Sequence, residues 1–256
     1  MNRINQLFNS DRKDLLSIYF CAGTPTLEGT ADTIRTLEQY GVSMVEIGIP
    51  FSDPMADGIV IQNAATQALR NGMSLRLLFE QLKDIRREVT IPLILMGYLN
   101  PIMQFGFENF CRQCAACGID GVIIPDLPFK DYQEHYRQIA GQYDIKIIML
   151  ITPETSEKRI REIDTHTDGF IYMVSSAATT GVQQDFDEFK RAYFRRIDDM
   201  HLRNPRMVGF GISNHSTFRA ACDHACGGII GSSFVALLNE TKDPETAIIQ
   251  LLDAIK

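Results

Sequence analysis

Short apolar, β-branched runs alternate along this chain with longer segments whose apolar residues recur at helical spacing. The strand runs are Leu16–Cys21, Met44–Gly48, Leu93–Met96, Gly121–Pro125, Ile145–Ile151, Phe170–Val174, Met207–Phe210 and Gly228–Ile230. Near-continuous apolar runs suit parallel strands whose outer face is covered by helices. Helices are predicted over Thr30–Tyr40, Leu75–Arg87, Phe107–Cys117, Tyr132–Tyr143, Glu157–His166, Phe186–Leu202, Thr217–Ala225 and Pro244–Ile255. Gly41 follows the first of these as a C-cap signal, and Pro244 stands where a first helical turn tolerates it. Strands and helices in strict alternation predict an α/β fold, a closed (β/α)8 barrel. Periodicity alone leaves an open doubly wound sheet as the alternative. No low-complexity linker divides the 256 residues, so residues 1–256 are expected to form one domain.

Composition narrows the function classes. The formal net charge is −7, and the Arg86-Arg87 and Arg195-Arg196 pairs are isolated, which argues against nucleic acid as a partner. No apolar run reaches the ~18 residues of a membrane span. The start, MNRINQLFNSDRKD, is polar and lacks a signal-peptide core, so a cytoplasmic chain is expected. Cys111, Cys114 and Cys117 have metal-like spacing, but in a predicted helix that spacing lines the thiols along one side, where cysteine packs as a small hydrophobe. No metal site is expected there.

The candidate chemistry sits in Val45–Gly58, VEIGIPFSDPMADG, which runs from a strand into a Gly/Pro-rich loop. Side chains alternate along a strand, so Glu46 faces away from Val45 and Ile47. If those two pack under a helix, Glu46 enters the interior, where a carboxylate is costly without a purpose. Asp57 follows on the loop. Pairs of acids in different environments are how enzymes separate proton-transfer roles. Two late glycine turns carry a second signal. Gly209-Phe210-Gly211-Ile212-Ser213 leaves strand seven, and Gly231-Ser232-Ser233 leaves strand eight and opens a short helix. Either turn alone could be a tight turn and nothing more. Together they fit the anion site that this fold places after its last two strands.

The Val45–Gly58 string, Met96-Gly97-Tyr98-Leu99-Asn100-Pro101, Pro125-Asp126-Leu127-Pro128 and the two turns resemble the tryptophan synthase alpha subunit family over nearly the whole chain. The resemblance implies a TIM barrel with an extra helix in Met1–Phe8 closing its bottom. It implies retro-aldol cleavage of indole-3-glycerol phosphate to indole and glyceraldehyde 3-phosphate, with no cofactor. By the same resemblance Glu46 and Asp57 are catalytic, and Tyr172, Tyr19, Ile123 and Phe210 line the indole pocket. Gly181, Gly211, Gly231 and Ser232 match the phosphate contacts. The implied partner is the beta subunit in a linear αββα complex, met by loops at Phe51–Met55 and Asn100–Phe105. Ile59-Val60 and Ser176–Thr180 depart from the family pattern, the latter in the loop expected to close over substrate. These departures suggest weak cleavage activity. They raise a second reading, a degenerate barrel that binds the beta subunit and activates it.

Overall fold

In a computed structural model, which describes residues 1–10, 12–175 and 188–256, eight parallel strands close into a barrel in sequence order. The strands are β1 Leu15–Cys21, β2 Met44–Gly48, β3 Leu93–Met96, β4 Gly121–Ile123, β5 Lys146–Ile151, β6 Ile171–Val174, β7 Arg206–Gly209 and β8 Gly227–Ile230. Helix α1 Arg3–Phe8 lies across the bottom of the barrel, and the outer ring holds α2 Thr30–Gln39, α3 Ile59–Arg70, α4 Leu75–Leu82, α5 Leu99–Phe105, α6 Phe107–Cys117 and α7 Phe129–Asp131. It continues with α8 Arg137–Gln142, α9 Glu157–His166, α10 Glu188–Asp199, α11 His215–His224, α12 Ser232–Thr241 and α13 Pro244–Ile255. The closed order excludes the open sheet that periodicity had left possible.

Helix ends follow the local chemistry. Gly118 ends α6 at φ 71°, and Asp243 caps α13 by accepting from the Thr246 N–H ahead of Pro244. Asn214 and Thr217 form a reciprocal capping box at the start of α11. Cys111, Cys114 and Cys117 are buried along α6, and no cluster of three or more His, Cys, Asp or Glu able to hold a metal occurs among the described residues. No described helix is long and apolar enough to cross a membrane.

Several elements differ from the periodicity. The predicted helix Leu75–Arg87 stops at Leu82 and resumes as a tight turn over Ile85–Arg87. There the Arg86 side chain turns in to the carbonyls of Gly118 and Ile91. The predicted Tyr132–Tyr143 helix is a wide turn over Tyr132–Tyr136 that leads into α8. Asn100–Phe105, expected as loop, lies in α5, because Pro101 occupies the first turn, where no N–H is needed, and Gly106 at φ 86° ends the helix. Helix α3 has no counterpart among the predicted helices. Its inward stripe, Ile61, Ala64, Ala65 and Ala68, is mostly alanine, a weak apolar signal.

The two ends of the barrel do different work. At the N-terminal end of the strands, fully buried Ile4 of α1 plugs the interior, with a methyl 2.8 Å from where a Cβ on Gly121 would lie. The Asn2 side-chain amide donates to the carbonyls of Asp120 and Asp144, at 2.9 and 2.8 Å. The Asp120 carboxylate, only 3% exposed, accepts from Arg86, Arg3 and the Leu93 N–H. One carboxylate thereby ties α1, the turn before β3 and the start of β4 together beneath the floor. Asp120→Ala is expected to lower stability by about 3 kcal/mol, because it leaves the Arg86 charge buried without its partner. Chemical denaturation checks this, and a loss under about 1 kcal/mol would contradict the ascribed role.

Candidate active site

Register sets the inner wall at the opposite, C-terminal end. Neighbours across a parallel ladder share a face, so the row Tyr19, Glu46, Ile94 and Gly121 faces one way across β1 to β4. That face is the interior, because the Ser17 and Glu46 side chains meet there. Glu46 is fully buried. Its Oε1 accepts from the Ser17 hydroxyl at 3.0 Å, and its Oε2 has no hydrogen-bond partner among the described residues. Burial pushes the Glu46 pKa up from 4.5 to about 8, and the Ser17 hydrogen bond offsets part of that rise.

Asp57 lies on the loop between β2 and α3, where the Gln62 side chain donates to its carbonyl at 2.8 Å. The Tyr98 hydroxyl donates to its carboxylate at 2.9 Å and accepts the Ala56 N–H at 3.0 Å. Burial raises the Asp57 pKa from 3.8 to about 6, and the Tyr98 hydrogen bond opposes the rise. The two carboxyls therefore differ at neutral pH: Glu46 holds its proton and Asp57 is ionised.

Two tyrosines complete the wall. Each stands where a glycine makes room. A Cβ on Gly48 would lie 2.2 Å from the Tyr19 hydroxyl, and one on Gly209 would lie 2.2 Å from that of Tyr172. Burial holds both phenols far above their ordinary pKa, so both stay protonated, and Glu46 and Asp57 are close enough to reinforce the effect. Phe210 packs edge-on to Tyr172, at 6.2 Å between ring centres. Ile123 is buried on β4, two strands round from Glu46, in register with Met96 and Ile148. The site thus gathers Tyr19, Tyr172 and Phe210 near the carboxyls, and Ile123, two residues beyond Gly121 on β4, shares the inward face.

The two glycine turns meet at the same end. Phe210 and Gly211 both have positive φ, 68° and 75°. A bulky residue takes that conformation only where its surroundings impose it. Ser175 does so, donating its hydroxyl to the Phe210 carbonyl at 2.5 Å and its N–H to the Gly209 carbonyl at 3.1 Å. Helix α12 starts at Ser232 with Gly231 before it and no side-chain cap, and its internal bonding begins with the Val235 N–H. The preceding N–H groups are free to meet an anion. A Cβ on Gly231 would lie 3.5 Å from Tyr19, so one tyrosine spans from this turn to the carboxyls. Gly181 and the departing segment Ser176–Thr180 lie outside the described residues. Ser17, Tyr98 and Ser175 are the functional neighbours that sequence reasoning missed. Tyr98 stood inside a motif already singled out.

A sequence model of the family described as tryptophan synthase alpha chain matches residues 5–255. The tryptophan synthase alpha chain of Bacteroides thetaiotaomicron is 78% identical over 256 residues, covering 100% of both chains. Tryptophan synthase subunit alpha of Legionella pneumophila superposes with a TM-score of 0.89 at 33% identity, covering 100% of this chain and 97% of its own. A chain of the tryptophan synthase complex from Pyrococcus furiosus does so with 0.86 at 33% identity, covering 95% of this chain and 98% of its own. These likenesses support the lyase reading and lend nothing to the degenerate-barrel alternative.

Burial of the Glu46 carboxyl has a pH signature. Its folded pKa, about 8, lies above its unfolded value of 4.5, so stability tied to this proton is full below the lower value and is lost as pH rises through the upper. Glu46→Gln, which keeps an acceptor for Ser17 but cannot ionise, is expected to exceed the parent in stability by roughly 2 kcal/mol or more at pH 9. The gain should vanish near pH 4. Unfolding midpoints of the two proteins across that range check it, and equal stability at pH 9 would contradict it.

Proposed function

The chain belongs to the tryptophan synthase alpha chain family, and we propose that within it Glu46 moves the protons and Asp57 stabilises the charge of the family reaction. The chain is a lyase that cleaves indole-3-glycerol phosphate to indole and glyceraldehyde 3-phosphate in tryptophan biosynthesis. One observation carries the assignment of roles: two carboxyls act on the same pair of buried phenols, Tyr19 and Tyr172, one of them neutral and fully buried, the other ionised and 7% exposed.

The chemistry asks for such a pair. A proton must reach the ring carbon that bears the side chain, and the side-chain hydroxyl must lose its own. The carbon–carbon bond then breaks, its electron pair returns to the ring, and the hydroxyl carbon leaves as an aldehyde. A neutral acid with a pKa near the working pH can give a proton and take one back, which suits Glu46. The developing positive charge on the indole nitrogen calls for a fixed anion, which suits Asp57 accepting the N–H. Tyr19, Tyr172, Phe210 and Ile123 enclose the ring. The substrate phosphate sits on the backbone N–H groups at Gly211, Gly231 and Ser232, and Gly181 is a further contact by resemblance. Residues 1–256 act as one domain in the cytoplasm.

The proposed partner is a beta subunit, arranged as αββα, which receives the indole. Its docking surface takes in Phe51–Met55 and the outer face of α5. Met55 is 88% exposed and Met103 47%, well above the usual state of such side chains. Phe51 stacks on Tyr98 at 5.4 Å between ring centres, and Tyr98 holds Asp57. Docking therefore has a short mechanical route to the catalytic aspartate.

Glu46→Gln should lower kcat by about 10²- to 10⁴-fold while binding of glycerol phosphate stays within about twofold, and Asp57→Asn should lower kcat by at least about tenfold. Indole release and ligand titration check both. Near-normal turnover of the Glu46 variant would remove it from the proton path. Met55→Asp should weaken association with the beta subunit by about tenfold or more in sedimentation at micromolar concentration. Unchanged association would move the docking surface elsewhere.

A further inference from the structure

The two oxygens of Glu46 stand in different situations. Oε1 accepts from Ser17, and Oε2 has no hydrogen-bond partner among the described residues. We propose that Ser17 is a positioning residue for the cleavage reaction: its hydroxyl ties down Oε1 and leaves Oε2 as the oxygen that exchanges protons with substrate. This rests on Glu46 being the proton-transfer group.

Ser17 is fully buried and enters the barrel from β1, in register with Met44 and one inward position before Tyr19. Among the described residues its hydroxyl bonds Glu46 alone, donating to Oε1 at 3.0 Å. A hydroxyl in a buried wall is costly unless bonded, so its presence between Leu15 and Tyr19 on the inward face of β1 calls for a purpose. The other groups near the carboxyl do not take its place. Tyr19 from β1 and Tyr172 from β6 have their hydroxyls over Gly48 and Gly209, and neither bonds Glu46. Asp57 is held by Tyr98, and Cys21 lies beyond Tyr19. No cation enters the balance that sets the Glu46 proton affinity, in which burial is opposed by Ser17.

The consequence is chemical as well as steric. The carbonyl oxygen of a carboxylic acid is its better acceptor, so a hydrogen bond accepted on one oxygen favours the proton on the other. When Glu46 is neutral, the bond at Oε1 therefore favours the proton on Oε2. When Glu46 is ionised, the same bond stabilises the anion. Ser17 thus fixes which atom reacts and limits how far burial raises the proton affinity.

The test compares Ser17→Ala, Ser17→Thr and Glu46→Gln with the parent by steady-state indole release from pH 5.5 to 10, each with saturating beta subunit. Ser17→Ala is expected to lower kcat about five- to tenfold with KM within twofold, and to move the limb of the pH profile that reports Glu46 upward by roughly half a unit or more. Ser17→Thr, which keeps the hydroxyl, should restore both the rate and the limb. Glycerol phosphate affinity and the melting temperature of each variant establish that the barrel is intact. An unshifted limb in Ser17→Ala, or equal losses in Ala and Thr, would overturn the positioning role while leaving Glu46 in place. A Glu46→Gln variant that still turns over would remove the reading beneath it.

Discussion

A carboxyl group buried in the wall of a parallel barrel, held by one hydroxyl, is the constraint on which the functional end of this molecule depends. In water Glu46 would be ionised and fully solvated. On β2, between strands that are themselves buried, the charged form loses its hydration and the group keeps its proton up to about pH 8. The same strand leads into the loop that carries Asp57, nearer the rim and satisfied by Tyr98, so the second carboxyl remains an anion. One strand and its loop thereby bring an acid and a charge of opposite readiness to the same two phenols, Tyr19 and Tyr172. The barrel does not supply this by composition. It supplies it by depth.

Depth has to be defended elsewhere. Ile4 and the Asp120 cluster close the floor far from the chemistry, so a stability device and a reactive device occupy opposite ends of the same strands. At the reactive end the wall must admit phenols, and Gly48 and Gly209 give up their side chains for Tyr19 and Tyr172. The strained Phe210-Gly211 turn, fixed by Ser175, and the uncapped start of α12 close the circle. Each of these positions trades local stability for a group or a gap that the pocket uses.

Much of this was legible in the sequence, for physical reasons that also explain the rest. The period-2 alternation of β2 placed Glu46 inside before any coordinate did, and the paired glycine turns marked the anion end. The alanine stripe of α3 gave too little hydrophobic contrast to register as a helix, and Pro101 disguised the first turn of α5 as loop. Ser17 was invisible because a small polar residue in an apolar strand reads as tolerated, and only the register across β1 and β2 brings it to Glu46. Tyr98 hid for a similar reason: its partner lies 41 positions away, across a loop that no periodicity describes. The expectation of weak activity rested largely on Ser176–Thr180, outside the described residues, while the likeness to tryptophan synthase alpha chains supports the lyase.

The central claim is that burial separates the proton affinities of the two carboxyls. Carbon-13 NMR of the chain labelled at the glutamate and aspartate carboxyl carbons, titrated from pH 4 to 10, reads it directly, with Glu46→Gln and Asp57→Asn assigning the signals. One aspartate midpoint is expected near 6 and one glutamate midpoint near 8. Both groups titrating together near pH 4, as solvated carboxyls do, would contradict it.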